Sequence, residues 1–402
     1  MKEYLRITRE AIFTPLSYIY GAITYVRNKL FDLNILKSVE FDIPIISIGN
    51  LAVGGTGKTP HTEYIVDLLC GHYNIAVLSR GYKRMTKGFI LASENSTPLD
   101  IGDESYQIYQ KFGDRIKVAV CEKRVVGIRE LQKIDPNINL IILDDAFQHR
   151  YVKPRVSILL TEFNRPYYED RIMPLGRLRE NIRAVNRAEM VIITKCPDDI
   201  KPMDFRIKKK NTDLFPYQKL FFSRYHYDNL TPVFPAESTY VPMLEIMNGK
   251  DVVLTVTGIA NPRPLVKYLK TFNVKTKVMH FPDHHNFSRD DIMDIQNTFN
   301  GLKGRYKIII TTEKDAVRLS SNPYFPHSLK QHIFYQPINV EFLDYEDDFD
   351  STLIQLITNC LLILLSLYLL LYSSLLNNFN KFSFVKLIEL LSTNNNNDLI
   401  NI

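Results

Sequence analysis

The chain has 402 residues, 45% of them apolar and 23% charged, and a net charge of +6. That length and balance fit two ordinary globular domains with a remainder and exclude a disordered chain. A positive excess this mild, without a dense basic stripe, speaks against a nucleic-acid binder and suits an acidic ligand or an anionic membrane surface. Cys70, Cys121, Cys196 and Cys360 lie far apart and form no CxxC pair, so neither zinc nor a disulfide framework is expected, and a reducing compartment follows. Glu3 and Glu10, with no clean apolar core between a basic start and a small-residue cleavage site, argue against a secretory signal.

In residues 12–30 the apolar positions Ile12, Leu16, Ile19, Ile23, Val26 and Leu30 recur at alternating spacings, which traces one face of a helix. Thr14 and Pro15 supply an N-cap and a first-turn proline, so the main helix is expected to begin there. Lys2, Arg6, Arg9, Arg27 and Lys29 surround the apolar stripe with positive charge. Two placements stand open: in a membrane interface, or packed on the domain core.

Residues 44–60, PIISIGNLAVGGTGKTP, join an apolar strand to a glycine-rich loop and then to a helix opened by Lys58 and Thr59. This is the pattern of a phosphate-binding loop. Ala52, Val53, Gly54, Gly55, Thr56 and Gly57 would turn backbone N–H groups toward phosphate oxygens, and the helix presents its positive end to the same anion. Lys58 would reach the β/γ-phosphates and Thr59 would place its hydroxyl on Mg²⁺. Ala52 stands where the usual pattern opens with glycine.

Beyond the loop, apolar strands are expected over residues 75–78, 116–120, 140–143, 156–160 and 190–194, with helices near 106–112 and 124–131. Alternation of this kind means βαβ units and a mostly parallel sheet, whose ligands sit at the carboxyl ends of the strands. That rule gathers the loop, Arg80, Asp103, Glu104, Asp144 and Asp145 on one rim. A polar, irregular stretch over 197–248 leads to a second alternating segment, with strands at 252–256, 276–280 and 306–312 and helices at 264–272 and from Ser288. The fold class expected is α/β: a P-loop NTPase-type, mostly parallel sheet, a second, smaller α/β domain, and an N-terminal amphipathic helix. Residues 351–380 carry no charge and are rich in Leu and Ile; they could span a bilayer or form a buried or disordered extension.

Asp144 and Asp145 close an apolar strand as a Walker B pair does, where carboxylates can hold Mg²⁺ opposite the loop threonine. Asp103 and Glu104 start a helix on the same rim, where an acid could accept a proton from an attacking hydroxyl. The run Asp283-His284-His285 lacks a third metal ligand, so a metal site there is disfavoured; a histidine held by a carboxylate could relay a proton instead. Arg80, Lys83, Arg84, Arg177, Arg179, Arg183 and Arg187 could clamp an anionic substrate. Thr194-Lys195-Cys196-Pro197 is a faint echo of a guanine-reading motif, and an ATPase or GTPase switch acting on a partner protein is the rival reading.

Taken in order, SIGNLAVGGTGKTP, SRGY (79–82), GDE (102–104), LDDAFQH (143–149), PLGRLRE (174–180), FPDHHNF (281–287) and TTEKDAVRL (311–319) resemble the tetraacyldisaccharide 4'-kinases of lipid A biosynthesis, over about residues 1–345. The resemblance implies an ATP- and Mg²⁺-dependent kinase that phosphorylates the 4'-hydroxyl of a tetraacyldisaccharide 1-phosphate to give lipid IVA at the cytoplasmic face of the inner membrane. It implies two α/β/α domains joined by a hinge, with Asp103 as base, His284 as its partner, Lys58 and Thr59 at the nucleotide and metal, and Glu104, Asp144 and Asp145 near the metal. Arg80, Tyr82, Gln148, His149 and Glu180 match positions near substrate or nucleotide. An anionic membrane surface is the expected partner, with no nucleic acid and no obligate protein. The expected boundaries are 1–37 for a membrane-associating helix, 38–205 for the nucleotide-binding domain, 206–345 for the second domain and 346–402 for a C-terminal extension.

Overall fold

The computed structural model describes residues 2–238, 241–244, 247, 249–283, 285–343 and 345–358, with side chains from residue 10. Two compact units result, Met1–Asp350 and Ser351–Ile402; of the second, residues 351–358 are described and are helical. Among the described residues no helix is long and apolar enough to cross a membrane. The possible span at 351–380 lies mostly outside them.

Helix α1 (Lys2–Asp32) is continuous, and Pro15 lies inside it rather than at its first turn. Proline removes one i→i−4 bond; the neighbouring Thr14 hydroxyl donates to the Glu10 carbonyl at 2.6 Å, and the helix passes through. Then follow β1 (Ile45–Asn50), α2 (Lys58–Leu69), β2 (Ile75–Ser79), β3 (Ile90–Leu91), α3 (Pro98–Ile101), α4 (Asp103–Phe112), β4 (Lys117–Val120), α5 (Arg124–Ile134), β5 (Leu140–Asp144), β6 (Val156–Glu162) and β7 (Met190–Thr194). Of these, β1, β2, β5, β6 and β7 are buried along nearly their whole length, as parallel strands covered on both faces must be.

The supposedly irregular stretch after β7 holds α6 (Pro202–Thr212) and β8 (Lys219–Tyr227). Next come β9 (Thr231–Pro232), β10 (Val252–Thr257), α7 (Arg263–Leu269), β11 (Lys275–His280), α8 (Arg289–Asn300), β12 (Lys307–Thr312), α9 (Glu313–Ser320), β13 (Ile333–Gln336) and β14 (Ile338–Phe342). The large sheet has nine strands in the order β14-β8-β7-β6-β1-β5-β2-β4-β3, and the small one five, β11-β10-β12-β13-β9. Only β14, β3 and β9 run antiparallel to their neighbours.

β8 and β14 correct the expected allotment of strands. Both fall inside 206–345, yet β8 extends the large sheet beside β7 and β14 closes its edge. The reason is packing: Phe222 of β8 is fully buried in the first core, edge-on to Phe205 at 4.6 Å and to Tyr345 at 5.1 Å. The chain therefore crosses between sheets twice, after Tyr227 and at Pro337, and the crossings lie side by side, the Asp228 amide donating to the Pro337 carbonyl at 3.3 Å.

Replacing Phe222 by Ala should destabilise the large sheet by about 3–5 kcal/mol. Chemical denaturation should show it, with loss of nucleotide binding in the same transition; an unchanged midpoint would mean that β8 is dispensable to that core.

Candidate active site

β1 sits at the centre of the large sheet, flanked by β5 and β6, and delivers the glycine loop to the carboxyl edge. Gly57, with φ of 93°, closes the loop at the start of α2, and a Cβ there would stand 2.4 Å from the Tyr225 hydroxyl oxygen, so only glycine fits. The loop is braced from three sides. The Asn50 amide donates to the Thr56 hydroxyl at 2.7 Å, the Thr194 hydroxyl to the Thr56 carbonyl at 2.8 Å, and Lys195 to the Gly55 carbonyl. Beneath, His61 is fully buried and its pKa lowered to about 4 by burial. Its Nδ1 meets the Gly57 carbonyl at 2.7 Å and must donate; Nε2 then accepts from the Ser223 hydroxyl at 2.9 Å, which fixes a neutral tautomer.

The acids converge on this loop. Lys58 Nζ lies 3.7 Å from Asp145, which Arg179 also grips, Nη1 to Oδ1 at 3.0 Å and Nη2 to Oδ2 at 3.4 Å. Asp145 takes up φ of 47° at the strand end, a conformation that non-glycine residues adopt where a site demands it. Asp144 is buried and accepts from the Thr62 hydroxyl at 3.2 Å, and burial, then the charge of Glu104, push its pKa up to about 7 against the opposing pull of Lys58. Thr59, one turn before Thr62 on α2, is buried as well. Behind Asp144, Arg124 is buried, donates to the Asp144 carbonyl at 3.4 Å and has its pKa lowered to about 10, chiefly by burial.

Gly102, at φ of 84°, turns the chain against the Tyr82 carbonyl and starts α4 with Asp103 and Glu104. Both acids are held from the small sheet: Arg318 of α9 meets Asp103 at 2.6 Å and Lys314 meets Glu104 at 2.6 Å.

A cleft of about 430 Å³ opens beside these groups. It is lined by Arg80, Tyr82, Asp103 and Glu104, by Asp144, Asp145 and Gln148, by Arg179 and Glu180, and by Tyr20, Thr24 and Asn28 of α1. Glu180 is buried, paired with Arg187 at 2.8 Å, and accepts from Asn28 at 2.8 Å and Gln148 at 3.1 Å. Of the expected site residues, His149 stands apart. It lines a second cavity of about 160 Å³ with Arg150 and Arg187, and burial and nearby arginines lower its pKa to about 4. His284 lies outside the described residues; the neighbouring His285 pairs with Asp291 at 2.9 Å. Among the described residues no three His, Cys, Asp or Glu side chains stand together in positions to ligate a metal ion. Local sequence signals did not expose Tyr225, Arg318 and Lys314, although Lys314 and Arg318, four apart, share one face of α9.

The tetraacyldisaccharide-1-P 4'-kinase family model matches residues 9–358. The chain belongs to the tetraacyldisaccharide 4'-kinase family. It is 49% identical over 341 residues to a tetraacyldisaccharide 4'-kinase of Bacteroides thetaiotaomicron, covering 83% of this chain and 89% of that one. A Flavobacterium johnsoniae enzyme of the same name is 42% identical, covering 88% and 98%. A crystal structure of LpxK from Aquifex aeolicus, an "apo" form in complex with ATP, superposes with a TM-score of 0.66 at 27% identity, covering 88% of this chain and 99% of that one. The tetraacyldisaccharide 4'-kinase family sets the activity: an ATP- and Mg²⁺-dependent phosphotransferase of lipid A biosynthesis.

The donor chemistry of the rim suits Mg²⁺, although no three of its acids already stand in ligating positions. Asp144, Asp145 and Glu104 crowd negative charge onto one rim, and burial, then the charge of Glu104, raise the Asp144 pKa, a cost that a cation would offset. In the metal-free protein this acid contributes stability that is full below the ordinary carboxylate range and is lost as pH rises through about 7. Asp144→Asn should therefore raise the metal-free melting temperature at pH 8 by about 2–5 °C, and by less at pH 5. The same variant should lose the stabilisation that wild type gains from Mg²⁺ with ATP. Equal melting of the two proteins at both pH values would show that Asp144 carries no such strain.

Proposed function

We propose that phosphoryl transfer to the 4'-hydroxyl of tetraacyldisaccharide 1-phosphate takes place in the cleft between α1 and the carboxyl edge of the large sheet. The observation that carries this reading is that Asp144 and Asp145 at the end of β5 and the acids of α4 line one cavity together with residues of α1, and that Lys58 of the glycine loop lies 3.7 Å from Asp145. Thr59, Glu104, Asp144 and Asp145 would hold Mg²⁺, which when bound neutralises phosphate charge. Lys58 and the backbone of residues 52–57 cradle the nucleotide phosphates. Asp103 takes the proton of the 4'-hydroxyl as its oxygen bonds to the γ-phosphorus and the bond from that phosphorus to the bridging oxygen breaks, releasing ADP. Arg80, Tyr82, Gln148 and Glu180 orient the disaccharide phosphate. His284 is proposed as the partner of Asp103 on family grounds. The paired crossings at Asp228 and Pro337 suit a hinge by which the small sheet closes and excludes water.

The acceptor is a lipid, and α1 is built to meet its membrane. Its apolar stripe faces outward, with Ile12, Leu16, Ile19, Ile23 and Val26 all exposed. Its polar side faces the protein: Ser17 donates to the Ile172 carbonyl at 3.0 Å, Tyr20 to the Arg179 carbonyl at 2.9 Å and Arg27 to the Gln148 carbonyl at 3.1 Å. A helix turned inside out in this way suits burial in an interface, and supports peripheral attachment at the cytoplasmic face of the inner membrane. The rival switch reading loses its one sequence cue, because Thr194 and Lys195 brace the glycine loop.

Labelled ATP incubated with the disaccharide should leave its label on the lipid; label appearing only as free phosphate would favour the switch. Asp103→Ala should cut turnover by about 10²–10⁴ with the ATP KM little changed, and His284→Ala should act in the same direction. Normal turnover in either variant removes that residue from the chemistry. Ile19→Glu with Ile23→Glu should weaken binding to anionic vesicles by about tenfold or more while sparing transfer to detergent-dispersed acceptor. Unchanged vesicle binding would reject α1 as the anchor.

A further inference from the structure

We propose that Arg318 is a positioning residue for this reaction: it holds the Asp103 carboxylate in place from the small sheet, so the base is presented only while α9 is docked on α4. The inference rests on the reading of Asp103 given above. Arg318 donates twice to one oxygen of Asp103, from Nε at 3.0 Å and from a terminal nitrogen at 2.6 Å. Two charged donors converging on a single oxygen hold that oxygen in one place more firmly than the one point charge of a lysine can.

The guanidinium is itself built in. Its side chain is 5% exposed, and its remaining terminal nitrogen donates to the fully buried Asp315 at 2.9 Å. Asp315 in turn accepts from the Gly258 amide at 2.8 Å and the Thr312 hydroxyl at 2.7 Å, tying the clamp to the ends of β10 and β12. A side chain kept this rigid on one sheet, and reaching the candidate base on the other, does more than solvate a surface acid. Lys314, one turn earlier on α9, makes the parallel contact to Glu104 and sets the register of the dock. Separation of the small sheet would thus withdraw both cations from the acids that start α4.

The test compares Arg318→Gln, Arg318→Lys, Asp103→Asn and the Arg318→Gln/Asp103→Asn pair in steady-state transfer to detergent-dispersed tetraacyldisaccharide 1-phosphate. Arg318→Gln should lower kcat by about a hundredfold with both KM values within about threefold of wild type, the size of effect that a misplaced catalytic group has. Arg318→Lys keeps a charge beside Asp315 and so should fold; it should recover only part of the rate, about tenfold below wild type, because it lacks the fork. In the Asp103→Asn background the Arg318→Gln penalty should vanish, since the group it positions is gone. If Arg318→Gln fails to fold, the Arg318→Lys rate decides alone. Wild-type kcat in Arg318→Lys, a loss that appears in KM, or penalties that multiply in the pair would each overturn the inference. An inactive Asp103→Asn beside a normal Arg318→Lys sinks the inference and leaves Asp103 as base; a fully active Asp103→Asn sinks both.

Discussion

The structure turns on an excess of negative charge at one point. Asp103, Glu104, Asp144 and Asp145 come together where strands of the large sheet end, and carboxylates so close cannot all stay ionised without cations. The neighbouring elements supply them. α2 brings Lys58, the segment after β6 brings Arg179, α5 brings Arg124 from below, and α9 brings Lys314 and Arg318 from the other sheet. The architecture is in this sense arranged around neutralising an acidic rim. A metal ion and a lysine beside it suit a kinase, which must meet phosphate charge with positive charge.

Much of this was legible in the sequence because it is local. The strand, glycine loop and helix around Gly57 are contiguous, and Asp144 and Asp145 follow an apolar run, so composition and order alone identify them. The small sheet's core strands were legible for the same reason. What escaped was non-local. β14 pairs with β8 across more than a hundred residues of intervening chain, and neither strand carries a turn signal pointing to its partner. A domain boundary drawn on composition then assigned both to the wrong sheet. Arg318 was invisible as a site residue for a related reason: its partner Asp103 lies 215 positions away.

α1 marks the limit of periodicity as evidence. The stripe at Ile12, Leu16, Ile19, Ile23 and Val26 predicts a helix equally well whether that stripe faces a core or a bilayer. Orientation is decided by the other face. Ser17, Tyr20 and Asn28 hydrogen-bond to the carbonyls of Ile172 and Arg179 and to the buried Glu180, beside the apolar contacts that Gly21 makes with Ile172 and Phe31 with Tyr151. Polar contacts help seat the helix, and the apolar side is left exposed. On the proposed reading, a helix that is apolar outside and polar toward the protein would suit an acceptor with its chains in a bilayer and its phosphate in water.

The contact between the two sheets extends inward from the rim. Glu63 of α2 is buried, and accepts from Lys111 at 2.6 Å and from Gln107 at 2.7 Å, both on α4. Glu313 of α9 shares this pocket, and burial followed by the charge of Glu63 raises its pKa to about 7, while Lys111 is held more firmly protonated by the two acids. The helix that begins with Lys58, the helix that begins with Asp103 and the helix that carries Arg318 therefore share one polar cluster behind the site, built on the buried Glu63. Parting α9 from α4 would open Glu63 and Glu313 further to water and relieve their burial while breaking the clamps on Asp103 and Glu104. Water gains at the cluster what the rim loses, which brings the docked and parted states closer in free energy than apolar burial alone would leave them. An interface of that kind suits sheets that would close for the proposed transfer and open to release a bulky lipid product.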